Sequence, residues 1–199
     1  QSVNGFFDFT FTTSSSKSTD SSGDTVKTNS IGYHPRFSLA INTQIFPNIN
    51  LMAGGLVTGL QARTSTDGVS TKLTDLNFRP YINLIWSSAP FTVGVGFNRR
   101  EEYVKSGDTP GVTNISDQYN ASFDWKPDDL PEVHVLLYRR NFFDKDRQFQ
   151  DTTTDSALLG VKYTYKTLDL RYLASYDDQD TRLAGIETKT LTQTGKIAY

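Results

Sequence analysis

The chain has 199 residues, 36% hydrophobic and 21% charged, with a formal net charge of −2 and no cysteine. That charge leaves no basic footprint for nucleic acid, the lack of cysteine removes thiol catalysis and Cys-ligated zinc, and no run approaches the roughly 20 apolar residues of a membrane-spanning helix. Fourteen glycines, seven prolines and 13% aromatic residues suit a turn-rich all-β chain.

In chain order, residues 3–13 set Phe7, Phe9 and Phe11 on one parity and Asp8, Thr10 and Thr12 on the other, which predicts a strand. Residues 14–30 carry no apolar period and read as a long polar loop. From 31 to 46, Ile31, Tyr33, Phe37, Leu39, Ile41 and Ile45 alternate with Gly32, His34, Arg36, Ser38, Asn42 and Gln44, the cleanest strand pattern in the chain. After a turn at Pro47 and Asn48, residues 49–63 keep Ile49, Leu51, Ala53, Gly55 and Val57 in phase, blurred by Met52, Leu56 and Leu60; 64–71 then reads as a loop.

Residues 73–99 predict an antiparallel hairpin. Leu76, Phe78, Pro80, Ile82, Leu84 and Trp86 share one parity, and beyond a turn at 87–90 the pattern resumes with Phe91, Val93, Val95 and Phe97. The opposite parity holds Asp75, Asn77, Arg79, Asn83, Gly94 and Gly96. A charged excursion over 100–116 leads to a strand at 117–125 with Tyr119, Ala121, Phe123 and Trp125 in phase. A turn at 126–132 precedes 133–143, where Val133, Val135 and Leu137 alternate with His134 and Arg140 while Leu136 and Arg139 break the parity. After a polar segment at 144–155, strands at 156–165 (Leu159, Val161, Tyr163, Tyr165) and 168–176 (Leu168, Leu170, Tyr172, Tyr176) flank a tight turn. A loop over 177–188 precedes a last, weaker strand at 189–199. The count is about ten strands.

Short connections, near Pro47 and at 87–90, 128–131 and 166–167, alternate with long polar ones. With one apolar face ending in aromatics and one polar face, the chain resembles the bacterial outer-membrane β-barrel, or porin-like, family, by pattern over all 199 residues and without a short diagnostic motif. The resemblance implies an all-β, antiparallel up-and-down transmembrane β-barrel in the bacterial outer membrane, its amino terminus periplasmic. It implies outer-membrane lipid as a partner, with other barrel protomers or a periplasmic protein as further ones, and no cofactor of the chain's own. On that reading Phe37, Leu39, Ile41, Phe78, Ile82, Leu84, Val93, Val95, Leu159 and Val161 face lipid. Phe46, Trp86, Phe91, Trp125, Tyr165 and Tyr199 form an aromatic girdle at the periplasmic end. Arg36, Asn42, Asp75, Arg79, Asn83, Arg100, Asp124, Arg140, Lys162 and Arg171 line a pore with a slight cationic excess, which would bias permeation toward anions if the barrel is wide.

The expected function is a passive pore or scaffold, not an enzyme. Three alternatives stay open: a sleeve around a periplasmic or electron-transfer partner, although no heme-attachment motif is present; an outer-membrane hydrolase built on His34 with Asp75 or Glu102; and a soluble β-sandwich binding module. The sandwich draws support from Pro35 and Pro80, which lie inside strands where proline is normally kept to edges; in a barrel they are expected to mark bulges or strand beyond the bilayer. Residues 1–199 read as one barrel domain, expected to be the amino-terminal part of a larger barrel because Gln193 and Gly195 give the last strand a poor lipid face.

Overall fold

The computed structural model describes residues 2–19 and 24–199, and almost all of them are strand. The strands are β1 (Ser2–Thr19), β2 (Thr25–Phe46), β3 (Ile49–Thr66), β4 (Val69–Ser88), β5 (Phe91–Ser106), β6 (Val112–Trp125), β7 (Glu132–Asp144), β8 (Asp151–Tyr165), β9 (Leu168–Thr181) and β10 (Ile186–Ala198). They pair in chain order as one antiparallel, up-and-down ten-stranded sheet. A sandwich would divide them between two sheets, so that alternative falls. β1 and β10 are the edges, and among the described residues no ladder joins them.

Much of what reads as polar loop is strand. β1 and β2 stay paired as far as Thr19 opposite Thr25, and β3 and β4 as far as Thr66 opposite Val69. Side chains bridge these ends: Ser14 to Ser30 at 2.7 Å, Ser15 to Asn29 at 2.7 Å and Thr19 to Thr25 at 3.1 Å. Likewise β5 continues to Ser106, β6 begins at Val112, and β9 runs to Thr181. Alternation marks a strand only where one face is dry; where water meets both faces the mark disappears. Asp67 and Gly68 close β3–β4 with positive φ at both, 49° and 85°, the turn whose twist matches that of paired strands.

Neither proline marks a bulge. The pairing lapses on one side of each, between β2 and β3 at Pro35 and between β4 and β5 at Pro80, but the register on either side of the lapse is unchanged. The space for each ring comes from β3, where glycine stands opposite: a Cβ at Gly59 would lie 3.0 Å from the Pro35 ring, and Gly55 pairs with Pro80. The register shift between β2 and β3 falls at Gln44/Phe46 instead, and it brings Phe46 opposite Ile49, beside Trp86.

The strands are staggered. One row runs Ile49–Trp86–Val93–Phe123–Val135–Leu159–Ala174. Ile49 opens β3, whereas Ala174 lies six residues past Leu168, which opens β9, six strands on. The hairpin ends therefore step by about one residue per strand; a rise of ~3.3 Å against a strand spacing of ~4.8 Å is a tilt of about 35°, as in barrels.

Candidate functional site

The register settles which residues share a face. Leu39, Ile41, Ile82, Leu84, Val95, Ala121, Leu137, Leu159, Val161 and Tyr172 all lie on one side, and their neighbours in sequence on the other. All ten residues assigned to a pore lining, from Arg36 on β2 to Arg171 on β9, fall on that other side. So do Met52, Leu56, Leu60, Leu136 and Leu158, so the face is polar but not uniformly so. The ten residues assigned to lipid share the apolar side.

Exposure is inverted relative to a water-soluble fold. Phe37 is 47% exposed, Ile82 48% and Val95 47%, and among the described residues the single buried large hydrophobic is Ile115. Small residues on the polar face are more covered: Gly32 and Gly94 are buried. A Cβ at Gly32, Gly54, Gly94 or Gly96, all on that face, would press into a neighbour's atoms, while at Gly55 on the apolar face the nearest atom is 3.6 Å away. Side chains converge on the polar side and splay on the apolar side, as they do inside and outside a curved sheet.

At the end with the short turns the apolar face is aromatic. Phe91 stacks on Trp125 (6.5 Å between centroids) and on Phe123 (6.0 Å), Tyr163 stacks on Tyr165 (6.3 Å), and Phe46 and Trp86 flank Ile49. Tyr199 follows β10.

The polar face carries the chemistry. His134 Nδ1 lies 2.7 Å from an Asp124 oxygen, and Arg171 binds Asp169 through two nitrogens, the shorter contact 2.7 Å. Arg79 donates to Asn77 at 3.4 Å, Arg100 to Glu102 at 2.9 Å, and Arg140 to the Ser116 hydroxyl at 3.2 Å. These arginines surround a hollow of about 350 Å³. The His34–Asp75 pairing that the hydrolase alternative needs does not form: β3 lies between them, with Leu60 opposite Asp75, and two strand spacings put them about 10 Å apart. The histidine that meets a carboxylate is His134, a cross-strand neighbour of Asp124 that only the register reveals. Among the described residues no group of His, Cys, Asp and Glu could hold a metal ion.

The sequence reading gives no role to the ion pairs on the apolar side. Arg99 grips Asp117 through two nitrogens (2.6 and 2.7 Å), and Arg139 grips Asp155 likewise (2.5 and 2.7 Å). Beyond them, where β7 ends, Asp144 accepts backbone N–H bonds from Gln148, Phe149 and Gln150. Burial pushes its carboxyl up, but those donors outweigh burial and hold it below its ordinary value.

A single tilted sheet, apolar outside and polar inside, is the wall of an outer-membrane β-barrel, and solved structures of that class share the fold. The chain superposes on FauA, the alcaligin outer-membrane receptor of Bordetella pertussis, with a TM-score of 0.52 at 8% identity, over 98% of this chain and 38% of FauA. OmpT of Vibrio cholerae aligns at a TM-score of 0.48 and 14% identity, over 86% of this chain and 59% of that one. An anion-selective porin from Comamonas acidovorans aligns at 0.41 and 9%, over 96% and 83%. The chain thus spans less than two thirds of FauA and OmpT. At these identities the likeness is one of fold. No protein-family model matches the chain, and neither does any curated protein.

Proposed function

We propose that this chain forms an arc of a bacterial outer-membrane β-barrel whose polar face lines a water-filled, passive pore. The observation that carries the reading is the inverted single layer. A sheet exposing Phe37, Ile82, Trp86 and Val95 on one face, with no second layer over it, gains its stability from a surrounding apolar medium. Apart from the lapses at Pro35 and Pro80 and the outer edges of β1 and β10, the backbone groups of the sheet are paired along the ladders, as a lipid interior demands. The ten polar-face residues from Arg36 to Arg171 are then the pore lining, the six aromatics from Phe46 to Tyr199 the periplasmic girdle, and outer-membrane lipid the principal partner.

A wide lumen is favoured over a plugged one. A closed ten-stranded barrel would have to fill its interior with side chains, yet Gly32, Ser38, Ala40, Gly94, Gly96, Ser122 and Gly160 face that way. The unpaired edges of β1 and β10, and the outward residues Gln193 and Gly195 that give β10 little apolar face, favour further strands completing the ring. Transport rather than hydrolysis is the reading because His34 and Asp75 stand apart and the His134–Asp124 pair has no nucleophile bonded to it among the described residues.

The protein is expected to sit in the membrane fraction, to need detergent for extraction, to run as a heat-modifiable β-rich band, and to give stepwise conductance in a planar bilayer. A soluble monomer recovered without detergent would overturn the reading.

A further inference from the structure

We propose that Arg79, Arg100 and Arg140 form a docking site for a small solute carrying two negative charges on carboxylate or phosphate oxygens. The site deepens the pore reading and rests on it to the extent that water must reach the polar face.

The first ground is position. Arg79 on β4, Arg100 on β5 and Arg140 on β7 share the polar face, and the register sets Arg100 opposite Ser116 and Arg140 opposite Gln118, the two β6 residues between them. All five line one hollow of about 350 Å³, room for a phosphate or a short dicarboxylate. The only acidic residue in its lining is Glu102. Arg99 also lines the hollow, but Asp117 neutralises it, and the other three guanidiniums against one carboxylate leave two positive charges for a ligand to neutralise.

The second ground is the contrast with the other arginines. Arg99, Arg139 and Arg171 each hold a carboxylate through two nitrogens. Arg79, Arg100 and Arg140 do not. A guanidinium has five N–H donors. Arg79 spends one on an amide oxygen at 3.4 Å, Arg140 one on a hydroxyl at 3.2 Å, and Arg100 one on Glu102. A further contact that uses no donor also steadies Arg140, its guanidinium lying 5.3 Å from the Phe142 ring centre. Among the described residues nothing else binds the remaining N–H groups, which can fork onto an oxyanion, the geometry arginine serves best. The Ser116 hydroxyl and the Gln118 amide add neutral donors that hold an oxyanion without adding charge.

The test is calorimetric titration of the detergent-folded full chain, near neutral pH and at low salt, with inorganic phosphate in one arm and succinate in the other. Saturable binding of one anion per chain is expected in at least one arm, and the tighter arm identifies the source of the oxygens. Arg140→Gln and Arg100→Gln should each weaken it about tenfold or more, the loss of charge-assisted hydrogen bonds. Glu102→Gln should tighten it. Arg63→Gln, on the opposite face beside Ser70, should leave it unchanged. Heat-modifiability reports folding for each variant. A folded protein that conducts but binds neither anion, or one whose affinity ignores all three polar-face substitutions, overturns the site and leaves the pore. A protein that binds as described but passes no current overturns the pore and leaves the site.

Discussion

Across β1–β4 the strands run 18–22 residues and the outward side of β2 meets no charge from Ile31 to Ile45, with Thr43 its one hydroxyl-bearing aliphatic residue; across β5–β10 they run 13–16 residues and that side meets charge at Arg99, Arg139 and Lys189. Ion pairs between described residues lie entirely in the second region. In the first, the outward face turns polar beyond Tyr33, where Gln61 pairs with Thr74, Arg63 stands opposite Lys72 and Lys17 opposite Lys27, like-charge contacts that need water to screen them. The register sets Arg99 opposite Pro80, eight residues along β4 from Lys72. A stagger of about one residue per strand accounts for only about two of those eight. The lesson is that strand length and apolar height are set separately: charge pairs cap the band early in β5–β10, while β1–β4 carry aromatic side chains well past that level.

The sharpest break in this picture would come at mid-band. Leu84→Arg should cost about 2–4 kcal/mol in chemical unfolding from lipid vesicles, and Asn83→Arg, on the polar face one residue away, far less. Equal costs would mean that the faces are exchanged or that neither meets lipid.

Next is the cap of the second region. Asp117 is only 5% exposed, so Asp117→Leu leaves Arg99 without its carboxylate and should cost about 1–3 kcal/mol. Adding Arg99→Leu should recover most of that loss, since an apolar pair can replace an ion pair at little cost. If the double variant is as unstable as the single one, the pair does something other than close the band.

The upper apolar part of the first region should be more forgiving. Tyr33, against the Phe11 ring at 5.3 Å, lies toward the headgroup level, so Tyr33→Arg should cost no more than about 1 kcal/mol in the same assay. A cost like that of Leu84→Arg would place this stretch within the hydrocarbon.

The smallest effect is local and depends on pH. Because the Asp144 carboxyl is held below its ordinary value, its stabilisation of 145–150 is complete above the ordinary Asp range and is lost as pH falls through the lowered folded value. Protection of the Gln148, Phe149 and Gln150 amides against hydrogen exchange, taken relative to the free-peptide rate at each pH, should be high near neutral pH and be lost only in acid below the ordinary Asp range, whereas Asp144→Asn should lower it already at neutral pH.

These regions differ in how much the amino-acid order reveals. Phe37, Leu39 and Ile41 declare their face because one side of β2 is apolar and the other is not. Ser14 to Thr19 declare nothing, because serine and threonine suit both faces of a water-exposed ribbon, so paired strand looks like loop. The face of Phe46 depends on a register shift that no local pattern signals. The same holds for the site: the parity of Arg79, Arg100 and Arg140 is legible, but that Arg140 reaches Ser116 and that His134 meets Asp124 are facts of cross-strand register, set by how hairpins align. Arg99 and Asp117 do lie on the apolar parity, and two opposite charges there are the signal from which their pairing could have been inferred.

The turn at Asp67 and Gly68 has a practical consequence. It caps a ribbon paired to its last residue, both its residues have positive φ, and a Cβ added at Gly68 would meet nothing within 4 Å. A foreign peptide spliced between those two residues would interrupt no β3–β4 pair, and Asp67 could keep its bonds to Lys27, its N–H to the carbonyl and its carboxylate to the N–H, on the β3 side of the graft. Carried on the far end of the strands from the girdle, such a graft would be displayed on the opposite side of the membrane from Trp86 and Trp125, and an antibody to it, applied to intact cells, would report which way the sheet is threaded.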